Sequence, residues 1–504
     1  MTGATVISLF LCLFSLVSAF NHPGLLVTDA DITRAKKHIK AKQDPWFASW
    51  EDLISIEYSN DSYTNNAVSV IYRGFDGVHE ENVNLLWQDA AAAFNLGLRW
   101  KISGETDFAE AAAKILVAWG ETLTEISGDN DMYLAAGLQG AEMANAAELL
   151  RDYAPFMENG FDTFTAMMED VFLSMNLQFL NHENSAEHNV KHYFANWELC
   201  NMASAMAIGV LTEDRSTYDY VLQYFKNGTG NGCIGNAVSN LVEEPITGTL
   251  LGQGQESGRD QGHSALNWQT LAAIGQQAYN QGDNLFAYNN SRILQGVEYF
   301  ARYNLGHDVQ FEPYPNGIVD FTEISNSSRG STRPNWELLW NHYGVVKGLD
   351  APWTKKYLNY SLSEFGGFEP GAGAWGDDSG DYDCLGWGSL LYHQDASDVA
   401  AAKSAASSSA VASSRYYTSS STRAPSTFLT LQTSIVPTTQ TSIATTLQTS
   451  LATTQQASTV ANAQPSIATT LQTSPVASME NTPAAIPVVV YQTEIVTVEA
   501  CPRQ

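Results

Sequence analysis

Between Phe20 and Asp395 apolar residues return every three or four positions, and this one pattern removes most folds from consideration. A half-buried strand needs strict alternation, which is scarce here. Segments with one apolar and one polar face are Leu85 to Trp100, Phe108 to Leu123, Met143 to Tyr153, Phe161 to Phe179, Trp197 to Leu211, Tyr218 to Phe225, Ser264 to Tyr279 and Ile293 to Tyr303. Each reads as a helix, with Gly or Asn-Gly at the breaks. Consecutive amphipathic helices on short connections pack as antiparallel hairpins. At about 50 residues per hairpin the stretch holds roughly six or seven, enough to close a ring. The expected fold is all-α, an (α/α) toroid with a cleft at the inner helix ends. Pro313, Pro315, Pro334 and Pro352 fall in the loop-rich last third, where they need not interrupt a helix.

Near Ser397 the pattern stops. Aromatic and charged residues give way to Ser, Thr, Ala and Gln, which bury too little apolar surface to order a chain. Four regions result: a signal peptide over 1–19, the toroid over 20–396, a disordered, O-glycosylated linker over 397–484, and a short tail over 485–504. The linker repeats SIATTLQTS at Ser442 to Ser450 and Ser466 to Ser474. Its few charges cancel, so the net −29 of the chain belongs to the toroid. A domain so acidic argues against nucleic acid or an anionic membrane as partner.

The leader reading rests on the apolar run Val6 to Val17, too short to span a bilayer, and on the small-residue site Val17-Ser18-Ala19. Cleavage would remove Cys12 and leave Cys200, Cys233, Cys384 and Cys501, compatible with up to two disulfides whose pairing stays open. Acceptor motifs for N-glycosylation begin at Asn60, Asn227, Asn289, Asn326 and Asn359, in keeping with a eukaryotic secretory route. The expectation is a secreted, extracellular monomer with no membrane contact after cleavage, attached to a cell wall, if at all, through its tail.

The opening Phe20 to Thr28 (FNHPGLLVT), AEMANAAELLRDY (Ala141 to Tyr153), NWELCNMASAMAIGV (Asn196 to Val210), ESGRDQGH (Glu256 to His263) and RPNWELLWNHY (Arg333 to Tyr343) together resemble the alginate-lyase-type polysaccharide lyases. The group most similar is polysaccharide lyase family 38, which contains alginate and glucuronan lyases. The resemblance runs from Phe20 to His393 and omits the tail. It implies an (α/α) toroid, an acidic polysaccharide as substrate, and β-elimination at a uronic acid, with no cofactor and no metal.

That chemistry makes its own demands on residue types. A group must bind and neutralise the C6 carboxylate so that the C5 proton becomes acidic; a base removes the proton and an acid protonates the leaving O4. Similarity to the family's Asn-Trp pattern assigns Asn196 as the neutraliser, with Trp197 beside it and His192 one turn earlier as substrate contacts. The plain alternative for Asn196 is a helix cap. ESGRDQGH is too polar to lack a purpose. His263 is expected in the cleft to bind or deprotonate the sugar, with Arg259 and Glu256 as further substrate contacts and Arg259–Asp260 as an ion pair. Its alternative is a solvated loop capped by Ser257 or Asp260. In RPNWELLWNHY, Arg333 would meet a carboxylate and Tyr343 carry a proton, with Tyr303 as rival and a buried core tyrosine as the alternative for either.

Two metal readings fail on spacing. His188 and His192 form an HxxxH pair near His182, but Asn189 stands where a metalloprotease needs Glu. Asp377, Asp378, Asp381 and Asp383 have no EF-hand spacing. The competing functions are a toroidal glycoside hydrolase, which would use Glu256 with Asp260 or Asp377, and a cell-wall lectin on a glycosylated stalk. A polyanionic substrate on so acidic a domain also calls for a local positive patch.

Overall fold

The computed structural model describes residues 19–183, 193–245, 247–315, 317–402 and 404. The expected leader up to residue 18, His188, His192, Cys501 and nearly all of the Ser/Thr-rich region lie outside these residues. In chain order the helices are α1 (Asp29–Lys40), α2 (Trp46–Ser55), α3 (Asn84–Ser103), α4 (Thr106–Thr122), α5 (Met132–Leu149), α6 (Ala154–Asn159), α7 (Phe161–Met167), α8 (Ser174–Leu180), α9 (Ala195–Leu211), α10 (Arg215–Asn227), α11 (Ile234–Ala237), α12 (Gln261–Asn280), α13 (Tyr288–Asn304), α14 (Trp336–Trp340), α15 (Pro352–Glu364) and α16 (Gly388–Leu391). Three two-stranded ribbons accompany them: β1 (Val70–Arg73) parallel to β2 (Glu125–Gly128), β3 (Val238–Glu243) antiparallel to β4 (Leu250–Gly254), and β5 (Tyr314–Pro315) antiparallel to β6 (Asp320–Phe321).

Sequence decides which helices go inside. In α9 every residue but Trp197 is buried, and α5 is buried almost as completely, so both belong to an inner layer. By contrast α10 has one apolar stripe (Tyr218, Val221, Leu222, Phe225) and an exposed face, and Asp214 caps it by accepting from the Ser216 and Thr217 amides. The inner helices α3, α5, α9, α12, α14 and α16 follow one another around a ring, with α2, α4, α7–α8, α10, α13 and α15 outside. Six hairpins therefore suffice. The ring closes where Trp387 Nε1 donates to Asn95 Oδ1 of α3 at 2.7 Å and Asn95 Nδ2 donates to the Ala372 carbonyl at 3.0 Å.

Close approach of α5 and α9 explains why the start of α5 escapes the apolar pattern. Gly137 and Gly140 sit against Cys200 and Ser204, with no room for a Cβ, so the segment before Met143 is glycine-bearing where a helix would favour alanine. These contacts ascend together along both helices, which run parallel. Gln277 of α12 accepts from Asn145 of α5 at 3.1 Å and donates to the Ala203 carbonyl of α9 at 3.2 Å. Consequently the N-termini of α5, α9 and α12 open at one end of the ring, where their positive dipole ends favour anions.

One boundary differs from expectation. The ordered chain continues past residue 396: residues 396–402 are helical, and Asp398 pairs with His38 of α1 at 2.9 Å and Lys37 at 2.7 Å. Ser and Ala flank that point on both sides, so composition does not mark where docking ends. The thiols of Cys200, Cys233 and Cys384 are unbridged, so none of the pairings among those three is formed. All five glycosylation acceptors are exposed.

Candidate active site

At the shared N-terminal end, the loop from β4 into α12 folds over the first turn of α9. Glu256 is wholly buried there. Its Oε1 accepts from the Asn196 backbone amide at 2.9 Å and from Asn196 Nδ2 at 2.8 Å, while Oε2 lies 3.0 Å from the same Nδ2. A carboxylate at a helix N-terminus is favourable on dipole grounds, and here it comes from 60 residues away. Glu256 Oε2 also holds Arg259 Nη1 at 2.8 Å, and the guanidinium lies 4.1 Å from the centroid of Phe194, the residue before α9. No Cβ fits at Gly258 against Phe321, which fixes the tight path of the loop.

Next in line is the imidazole. Asp260 caps α12 by accepting from the His263 amide at 2.8 Å, and its other oxygen lies 2.6 Å from His263 Nδ1. Arg259 Nη2 lies 3.1 Å from His263 Nε2. Because a guanidinium only donates and a carboxylate only accepts, the partners select the tautomer with hydrogen on Nδ1 and the lone pair on Nε2. Burial pushes the Asp260 carboxyl up, but the hydrogen bonds from the His263 ring and amide and the charge of Arg259 outweigh it and leave it below its usual range. Asp260 is thus a fixed anion that orients the ring. The His263 side chain is 44% exposed, more than any other member of the group, so it is the one a ligand reaches first.

The other expected site residues distribute unevenly. Asn196 is in the group, but its amide hydrogens face Glu256 and it is 2% exposed, so it anchors Glu256 and has little left for a substrate carboxylate. Glu256 likewise acts on Arg259 and not on a ligand. Arg259 prefers Glu256 to Asp260, whose nearer oxygen is 3.7 Å away. Arg333 pairs instead with Asp383 at 2.7 Å and donates to the Gly380 carbonyl at 3.0 Å. Trp197 packs against Phe179 and Tyr193. His192 lies outside the described residues. The expected positive patch is not formed by Arg73, Arg259 or Arg333, since each is matched by a carboxylate (Glu81, Glu256 and Asp383).

Tyr343 is a correction. It lies in a π-helical turn (Asn341–Val346), is 1% exposed, and donates its hydroxyl to the Phe286 carbonyl at 3.0 Å. Burial drives its phenol far above the usual range, so it does not exchange protons near neutrality. Its rival Tyr303 is also buried, under the Arg329 guanidinium. Tyr343→Phe should therefore lower stability by about 1–3 kcal/mol, the cost of leaving the Phe286 carbonyl unpaired, and leave turnover per folded molecule unchanged. Melting temperature measured beside turnover checks this. Sequence reading passed over Phe194, whose ring supports Arg259; the signal was the aromatic pair Tyr193-Phe194 directly before the Ala-rich helix.

A helical toroid presenting an oriented imidazole and a guanidinium at its inner-helix N-termini has the parts of an enzyme that moves protons beside an anion. Residues 31–310, more than half of the chain, match the family model described as alginate lyase. The chain belongs to that family and is a polysaccharide lyase. Solved structures it is similar to include an alginate lyase A1-III variant complexed with a tetrasaccharide (15% identity over 75% of this chain and 98% of that one, TM-score 0.48). Others are alginate lyase A1-III from Sphingomonas species A1 (15%, 74% and 98%, TM-score 0.43) and an alginate lyase from Bacteroides ovatus (12%, 56% and 84%, TM-score 0.41). No curated protein sequence matches the chain.

Proposed function

We propose that the protein cleaves a uronic-acid polymer, alginate or glucuronan, by β-elimination, leaving 4,5-unsaturated ends. The observation that carries this reading is the Asp260–His263–Arg259 arrangement, an imidazole held at Nδ1 by a carboxylate with its Nε2 beside a guanidinium. A substrate carboxylate arriving at Arg259 Nη2 would compete for the N–H now directed at His263 and release the Nε2 lone pair. His263 then takes the C5 proton, and the electron pair left on C5 is drawn into the carboxylate, where Arg259 and the helix N-termini stabilise the growing charge. The pair forms the C4=C5 bond as the C4–O4 bond breaks, and O4 leaves with the proton. The imidazolium made in the first step is the acid needed in the last, so one group can serve both.

The hydrolase alternative is weaker because Glu256 is buried and its oxygens are occupied. Export through the leader and glycosylation at the exposed asparagines belong to the same proposal. Incubation with alginate, glucuronan, pectate and hyaluronan, followed by ultraviolet absorbance of new C4=C5 bonds, tests it. Absorbance should rise with alginate or glucuronan. A rise with pectate or hyaluronan alone would overturn the substrate assignment.

A further inference from the structure

Gln255 and Glu256 divide their work: Glu256 faces Arg259, while Gln255 faces a separate pocket of about 160 Å³ between α11, the β3–β4 ribbon and β5. Asn231, Asn236, Ser239, Asn240, Gln255 and Tyr314 line it, so among the described residues its lining has amides, a hydroxyl and a phenol and no charged side chain. Gln255 is 2% exposed; its Oε1 accepts from the Ala195 amide at 3.0 Å, but its Nε2 has no hydrogen-bond partner among the described residues. Asn240 Nδ2 is likewise buried at the atom and without a partner among them. A buried donor left unpaired costs stability unless something fills the need. Burial raises the Tyr314 phenol, which stays neutral and donates to the Gly254 carbonyl at 3.4 Å, so it contributes its ring to the lining.

We infer that this pocket is a carbohydrate subsite that reads the ring hydroxyls of a polymer residue beside the cleavage point. Two unpaired N–H donors and an aromatic wall suit a neutral polyol face, and with no cation among the described lining residues the carboxylate is left to Arg259. The backbone sets the pocket next to the site, since Gln255 and Glu256 bind the consecutive Ala195 and Asn196 amides at the start of α9. Mannuronate and glucuronate share the carboxylate and differ in configuration at C2, so a pocket reading hydroxyls is where alginate and glucuronan would be told apart. The inference rests on the proposed uronate lyase activity and adds to it the residues that choose the polymer.

The test uses the full chain with Gln255→Glu, which keeps the acceptor for Ala195 and removes the donor, and Asn240→Ala. Each should raise KM for the preferred polymer about tenfold with kcat nearly unchanged, and move the ratio of kcat/KM between polymannuronate and glucuronan towards one. Unchanged KM and ratio in both variants would overturn the subsite. If melting shows that Gln255→Glu does not fold, Asn240→Ala on the half-buried β3 carries the test alone. Should the wild type release no unsaturated product from either polymer, the lyase reading on these uronates falls by itself. Retardation of each polymer in native gels then still decides the pocket: loss in the variants supports it, and equal retardation in wild type and variants overturns it.

Discussion

Replacing His263 by Ala should lower turnover by ~10²–10⁴-fold, the range that a positioned acid–base group contributes, while the protein stays folded. The side chain is 44% exposed and its pairing with Asp260 is partly solvated, so its loss should cost at most about 1 kcal/mol. KM should move little, because Arg259 remains held by Glu256. The measurement is turnover on the best uronate polymer together with a melting curve. A variant that melts like the wild type and turns over at more than a tenth of its rate would remove His263 from the mechanism and leave the exposed end of the ring without a proton carrier.

Replacing Glu256 by Ala should produce the largest loss of stability in the site. This buried carboxylate satisfies the Asn196 amide, the Asn196 side chain and Arg259 together. Without it a partly buried guanidinium and a helix-terminal N–H lose their partner, a loss of about 3–5 kcal/mol. Arg259 would also lose its anchor beside His263, so turnover should fall in the molecules that do fold. Glu256→Gln keeps the shape and one acceptor and should fall between the two. Equal melting temperatures for wild type and Glu256→Ala would mean that Arg259 finds another anion, and the positioning role assigned to Glu256 would be wrong.

The ring itself was legible because its signal is local: helical periodicity survives in each segment, and summed over the segments it leaves few other ways to bury so many apolar faces. Where packing needs glycine, as at Gly137 and Gly140, the local signal weakens and the start of α5 is missed. The His263 loop was legible for a different reason, since a run as polar as ESGRDQGH just before an apolar helix is hard to explain as packing. What each member does was not legible. Asn196 looks like a substrate contact until Glu256, far along the chain, is seen to occupy its amide. Tyr343 has the chemistry of a proton carrier, and only the fold shows that its hydroxyl is spent on Phe286. Residue type gives the reagents, and burial set by distant partners decides which are available.

The account's central claim is elimination at a uronic acid, and weighing the products of a defined uronate oligosaccharide tests it most directly. Elimination adds no water, so the masses of the two fragments should sum to that of the parent, with the unsaturated residue at the new non-reducing end of the fragment from the reducing side. Fragments whose masses sum to the parent plus one water would show hydrolysis and contradict the account.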